Sequence, residues 1–210
     1  MSEKKKKRRK KQRRSINLGA LLKSGMIKYI AAAVAAVVLL ILIITGVKGC
    51  GVKLSSPEKA VISLVKAGVK GKTKDMAKCY GAGKDVSSDL QKEIDATVKY
   101  YQAHDPAKVK IVECGVLSQS KNQSYVYITY NLVLQNEQEY PCIGTFMVNQ
   151  KDDQYYVIPA ADITQEMSQS AAESYSKFMK EAAYKTYTKA YDAFMKKNPG
   201  YEDKIADKVR

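Results

Sequence analysis

The chain has 210 residues, with 36 Lys and Arg against 21 Asp and Glu, and its net charge of +15 is typical of nucleic-acid-binding proteins. The excess is concentrated in residues 1–28, which hold 12 basic residues and one acid, so the other 182 residues carry only +4. With 45% apolar residues, 12 Gly and 5 Pro, the composition excludes a disordered or collagen-like chain. No Arg lies between Arg14 and Arg210 to flank a base-stacking platform, so nucleic-acid binding is not expected.

Residues 29–48 predict a transmembrane helix. Residues 29–47 contain no charged side chain, and at ~1.5 Å per residue they reach about 28 Å, close to the ~30 Å hydrocarbon core of a bilayer. The preceding tail, residues 1–28, is polybasic, so the positive-inside rule places it in the cytoplasm and residues 49–210 outside. Its lipid-binding candidates are Lys4, Lys5, Lys6, Lys7, Arg8, Arg9, Lys10, Lys11, Arg13 and Arg14.

Cys50 offers an alternative form of anchoring. The sequence Val47-Lys48-Gly49-Cys50 resembles a bacterial lipoprotein box, although Lys48 stands where that motif has a small or apolar residue. A lipoprotein acylated at Cys50 would still leave residues 51–210 outside the cell membrane.

Residues 49–55 predict a linker, and three helices are expected after it. Ser55 and Glu58 have capping-box spacing with Pro57 in the first turn, and apolar residues then recur at helical spacing to about Lys70. A short second helix is expected around residues 76–80. A third, capped by Ser87 or Ser88, is expected to end at Asp105-Pro106.

The pattern then changes to the period of two that is typical of strands. Residues 109–117, 124–134, 139–148 and 155–158 predict four strands, and the short turns between them imply antiparallel neighbours. Pro141 places the start of the third strand at an edge or a bulge. The fold class is therefore α+β.

Residues 161–210 predict a helical C-terminal extension. Asp162 is a candidate cap and Asn198-Pro199-Gly200 a stop signal. About 35 helical residues would extend ~50 Å, longer than a domain of this size is wide, so the helix is expected to bend, break or project. If it packs on the sheet, it would cover Tyr125, Tyr127 and Thr129.

The segments SPEKAVISLVKAGVKGKTKDMAKCY and DDQYYVI resemble the first two helices and the final strand of NTF2-like (cystatin-like) domains, particularly small membrane-anchored bacterial ones of unknown function. The resemblance covers residues 56–160. It implies a cone of three helices on an antiparallel sheet, with any ligand or catalytic group inside the cone. The C-terminal helix departs from the family, whose domains usually finish with the sheet.

Candidate pocket residues follow from that resemblance and from their place on the third helix: Tyr100, Tyr101 and His104. His104 is the only histidine, and its position at a helix end has an ordinary interpretation as a charged group that interacts with the helix dipole. No nucleophile elbow, HExxH, P-loop or dinucleotide-binding motif occurs. Neither catalysis nor a cofactor is predicted.

The cysteines are too widely spaced for a zinc site. Cys114 and Cys142 would lie two strands apart in a simple meander, beyond bridging distance, so a disulfide from Cys79 to one of them is more feasible, and Cys79–Cys142 is the candidate pairing. Buried free thiols are equally compatible with the sequence.

These features together predict a single-pass cell-membrane protein with a cytoplasmic N-terminus. Its extracytoplasmic domain is expected to be a non-enzymatic binding or assembly module of the cell envelope, with a protein partner or self-association through the C-terminal helix. The alternative is a cone that binds a small ligand or lipid, or a weak enzyme.

Overall fold

The computed structural model describes residues 51–210. The predicted polybasic tail, the predicted span and Cys50 lie outside the described residues. Within residues 51–210, no helix is both long enough and apolar enough to cross a membrane.

Three helices come first in the described chain: α1, Pro57–Val69; α2, Thr73–Cys79; and α3, Ser88–His104. The cap of α1 is Ser56, whose hydroxyl accepts a hydrogen bond from the Lys59 amide, so the predicted capping box from Ser55 is wrong. The reason is that Pro57 restricts the residue before it to extended backbone, which is the conformation an N-cap needs. Ser87 caps α3, and the helix ends at His104 as the sequence predicts.

Four antiparallel strands follow: β1, Pro106–Ser120; β2, Gln123–Leu134; β3, Glu139–Lys151; and β4, Gln154–Val157. Their order in the sheet is β1-β2-β3-β4, so the predicted meander is confirmed. β1 has three register shifts against β2, which is typical of a bulged edge strand. β4 pairs with β3 only over Val148–Lys151, so Pro141 lies where β3 has no neighbouring strand on that side.

The two faces of the sheet pack against different helices. Val126, Ile128 and Leu132 on β2 are fully buried in the core shared with α1, α2 and α3. The intervening residues, among them Tyr125 and Tyr127, point to the opposite face because side chains alternate along a strand. That outer face is also buried.

The predicted single C-terminal helix is three helices: α4, Gln165–Phe178; α5, Ala182–Lys197; and α6, Tyr201–Val209. The cap of α4 is Thr164 rather than Asp162, which lies in a short 3₁₀ turn. Phe178 is fully buried, 4.3 Å from the ring of Tyr127, so α4 covers the outer sheet face. The chain breaks after Phe178 and α5 then packs on β3, a course that a straight helix could not follow.

Candidate functional site

Aromatic side chains from five elements meet where α3 ends and β3 begins. We call them the mouth cluster. Its members are Tyr100, Tyr101, His104, Tyr130, Tyr140, Tyr191, Phe194 and Tyr201. The helices α3, α5 and α6 and the strands β2 and β3 each contribute at least one ring. The cluster joins the three-helix layer to the C-terminal helices.

The three predicted pocket residues all belong to this cluster. Tyr101 is 5% exposed and its hydroxyl lies 3.0 Å from that of Tyr130, across the core from α3 to β2. Tyr100 is 39% exposed and its ring contacts Tyr101 and His104 edge-on. The structure therefore brings the predicted residues together, but other side chains of the chain occupy the space beside them.

His104 is buried and neutral. Its Nδ1 lies 2.9 Å from the Tyr201 hydroxyl, and its ring stacks on Tyr140 at 4.7 Å. Burial, helped by the Lys208 ammonium and opposed by Glu202, lowers the pKa of His104 to about 4. The interpretation of His104 as a charged group in the α3 dipole is therefore wrong, because an imidazole with this pKa carries no charge at neutral pH.

The second ring nitrogen of His104 has no hydrogen-bond partner among the described residues. Nε2 is fully enclosed, although the ring's other nitrogen is satisfied by Tyr201. Buried polar atoms are nearly always paired, since leaving one unpaired costs about 1–3 kcal/mol. This atom is thus an unused hydrogen-bonding group directed into the protein.

Glu202 fastens α6 to the rest of the cluster. Its carboxylate accepts hydrogen bonds from the Tyr140 hydroxyl at 2.8 Å and from the Tyr191 hydroxyl at 2.5 Å. Burial, the neighbouring Tyr100 hydroxyl and the bond to Glu202 raise the pKa of Tyr140 far above its ordinary value. The bond to Glu202, with a contribution from burial, raises the pKa of Tyr191 to about 12. Both phenols therefore remain protonated donors, and neither can serve as a general base at neutral pH.

α6 closes the cluster on the side of α3. Ile205 is 7% exposed, and Lys208 Nζ donates to the Ala103 carbonyl at 2.9 Å near the end of α3. Lys99 Nζ donates in turn to the Val209 carbonyl at 2.7 Å. Each lysine satisfies a carbonyl in the last turn of the facing helix, where cations are favoured.

The residues that sequence reasoning missed are Tyr130, Tyr140, Tyr191, Tyr201 and Glu202. Tyr201 contacts His104 across 97 positions of sequence, and no local spacing indicates such a pairing. The sequence offered only a weak indication of this site: the apolar residues Phe194, Tyr201 and Ile205 continue on both sides of the predicted helix stop.

A separate shallow cleft of about 140 Å³ lies on the outer sheet face between β3 and α4. Its lining residues are Tyr125, Ile143, Gly144, Thr145 and Tyr175. Pockets for small organic ligands usually measure about 300–1,000 Å³, so this cleft is too small to enclose one. No group of acidic, His and Cys residues among positions 51–210 could hold a metal ion.

Cys79, Cys114 and Cys142 are free thiols, and the predicted Cys79–Cys142 disulfide is not formed in the structure. Cys79 and Cys142 are each packed in the apolar core. Burial raises the pKa of both thiols to about 12. Because the thiolate is the reactive form, both side chains behave as small buried hydrophobic groups.

Comparison with known proteins finds structural likeness only. No protein-family model matches the chain, and neither does any curated protein. Among solved structures, a protein from Campylobacter jejuni titled "Putative NTF2-like transpeptidase" is 17% identical, with a TM-score of 0.35, and the match covers 50% of this chain and 98% of that one. An NTF2-like protein of unknown function from Shewanella oneidensis is 13% identical, also with a TM-score of 0.35, and covers 47% and 88% respectively. At these scores the likenesses add nothing to the α+β architecture described above.

Proposed function

We propose that this chain is a single-pass membrane protein whose extracytoplasmic NTF2-like domain is a non-enzymatic binding or assembly module of the cell envelope. The observation that supports the proposal is that the mouth cluster is filled by the chain's own C-terminal helices. Phe194, 7% exposed, packs on Tyr140 and Tyr201 within this cluster, and Ile205 on α6 is equally buried. Binding then takes place on the outer surface of the domain.

The C-terminal helices supply the partner surface in this proposal. Part of their apolar stripe packs inside the molecule, since the half-buried Tyr184 contacts the ring of Phe178 and the half-buried Tyr191 contacts the ring of Tyr140. What α5 presents to solvent is polar and basic, including the exposed Lys185 and Lys189. A partner or second copy therefore meets a hydrated, charged face, which is typical of reversible interfaces.

The assembly proposal is tested on the full chain in native membranes. We expect amine crosslinking to join α5 to a second copy or to another envelope protein. We expect Lys185→Glu with Lys189→Glu to abolish that product, whereas Lys108→Glu on β1 retains it. Native mass spectrometry of the purified chain should show no retained small molecule. A monomer that carries a bound small molecule and gives no crosslink would refute the proposal.

Membrane topology is tested separately in intact cells. In a Cys50→Ser background, a membrane-impermeant maleimide should label Lys121→Cys, on the exposed β1–β2 turn, but not Ser2→Cys. The reverse pattern would refute the proposed orientation. Intact mass of the wild-type chain then distinguishes an uncleaved span from a chain that begins at an acylated Cys50.

A second candidate function rests on the unpaired Nε2 of His104. A small ligand or lipid that displaces α6 would free Nδ1 of His104 from Tyr201 and the Tyr140 hydroxyl from Glu202. It would then meet an imidazole whose two ring nitrogens both lack partners among the described residues. Ending the chain after Asn198 should then allow a neutral hydrogen-bonding probe such as phenol to bind, with a loss of affinity in His104→Phe. Equal binding to the shortened chain with and without the imidazole would exclude this candidate.

A further inference from the structure

A row of basic side chains runs along the solvent face of α1. Lys59, Lys66 and Lys70 recur at helical spacing with Ser63 between them, on the side of the helix opposite its buried residues. The entering chain lies beside this row, because the Lys53 amide donates to Ser63 Oγ at 3.0 Å and the Lys53 carbonyl accepts from the same hydroxyl at 3.3 Å. We call Lys59, Lys66 and Lys70 the lysine stripe.

The stripe is a concentration of like charge. Partial burial lowers the pKa of Lys66, and the neighbouring ammonium groups of Lys70 and Lys53 lower it further. Within the part of the chain that the structure describes, neither Lys66 nor Lys70 has an acidic partner at ion-pair distance. An external anion near Lys66 and Lys70 would therefore offset the mutual repulsion of these two ammonium groups.

The stripe lies beside the point where the chain enters the domain. Val52 packs on the core, and the Leu54 carbonyl accepts a hydrogen bond from the Tyr155 amide on β4 at 2.9 Å. Residues 52–54 are thus fixed to the domain alongside Ser63. The predicted span ends at Val47, so only residues 48–51 intervene, and four residues extend at most about 14 Å.

We propose that the lysine stripe is a docking surface for the anionic phospholipid headgroups of the leaflet into which the span enters. The inference rests on the proposed membrane anchoring and adds to it a defined orientation of the domain, with α1 towards the bilayer. Lysine suits this role because its flexible stem lets the ammonium group reach headgroups at different depths. The outer sheet face and its covering helix α4 then point away from the membrane.

The orientation is tested with the full chain in lipid nanodiscs. One set contains phosphatidylglycerol and the other only phosphatidylcholine, and lysine amines are acylated briefly at physiological salt before site-resolved mass spectrometry. We expect Lys59, Lys66 and Lys70 to react at least threefold more slowly in the anionic discs. Lys177 and Lys180, beyond the sheet from α1, should react equally in both. Molar salt should remove the difference.

A double variant tests whether the stripe itself carries the effect. Lys66→Glu with Lys70→Glu should make the Lys59 rate equal in the two lipids, whereas Lys177→Glu with Lys180→Glu should leave the protection intact. If the chain is inserted and the lysines of the wild-type stripe react at equal rates in both disc types, the docking surface is refuted, whereas the proposed anchoring is not. Protection in both lipids, or only after an acidic protein is added, would also refute the docking surface. Failure of the chain to insert would instead refute the proposed anchoring.

Discussion

Replacement of Phe194 by Ala tests whether the C-terminal helices truly close the mouth cluster. The ring is 7% exposed and meets Tyr140 at 5.2 Å and Tyr201 at 5.0 Å, both edge-to-face. Such aromatic pairs add about 0.5–1.5 kcal/mol each to the burial of the ring. Phe to Ala changes in cores cost about 3–5 kcal/mol, and this well-enclosed site should fall within that range.

Urea unfolding of the full chain in a mild non-ionic detergent measures this loss. The near-ultraviolet circular dichroism of tyrosine reports on it, because the chain has 15 Tyr and no Trp. Met179→Ala is the matched control, since Met179 is 41% exposed in the turn that joins α4 to α5. An exposed site of that kind should change stability by no more than about 0.5 kcal/mol.

A decrease of less than about 1 kcal/mol in the free energy of unfolding of Phe194→Ala would refute the reasoning, because only the removal of an exposed ring changes stability so little. In that case, Phe178→Ala would show whether α4 is docked on the sheet. Phe178 is fully buried on the outer sheet face, so its replacement should still cost about 3 kcal/mol or more if α4 is docked and α5 alone is not.

Three further outcomes follow from the described contacts. The pKa of His104 is about 4 in the folded protein, so the unfolded chain takes up the proton first as the pH falls. The free energy of unfolding should therefore decrease as the pH drops from ~6.5 towards 4. The decrease should be at most about 3 kcal/mol, and smaller where solvent screens the ring. His104→Gln should lose this part of the slope, and an unchanged profile in urea titrations would contradict a neutral buried imidazole. Ser56→Ala should cost about 1 kcal/mol in the same titrations and Ser55→Ala a few tenths, whereas the opposite order would restore Ser55 as the cap. Cys79 and Cys142 should resist iodoacetamide at pH 7.5 until urea is added; rapid labelling, or an intact mass two hydrogens short, would contradict buried free thiols.

The fold was largely predictable because its signals are local. Helices α1, α2 and α3 are separated by glycine breaks and carry apolar residues at helical spacing. β2 is a run of aromatic and β-branched residues, which is typical of a strand buried on both faces. Turn residues fix the meander, since short connections allow only antiparallel neighbours. The covering of Tyr127 by a C-terminal helix was one of the alternatives that the sequence left open, beside a helix that projects.

The course of the C-terminal helices could not be predicted from the sequence, and the reason is physical. The break between α4 and α5 falls at Met179-Lys180-Glu181, which contains neither Gly nor Pro, so no intrinsic preference marks it. Tertiary packing decides it instead, since Phe178 is buried on the outer face and Phe194 at the mouth. The partners of Tyr100, Tyr101 and His104 in the mouth cluster were missed for the same reason, because these contacts join residues that are far apart in the sequence.

Helices α5 and α6 cover the mouth cluster together. α6 has nine residues and one buried apolar side chain, Ile205, whose burial contributes about 1.5–3 kcal/mol. A helix of nine residues is unstable alone, because its few backbone hydrogen bonds do not offset the conformational entropy lost on ordering it. The hydrogen bonds that Glu202 accepts from Tyr140 and Tyr191 therefore help to hold α6 in place. Since Tyr191 lies on α5, loosening α5 removes part of what holds α6, and the two helices should leave the mouth as one cooperative unit.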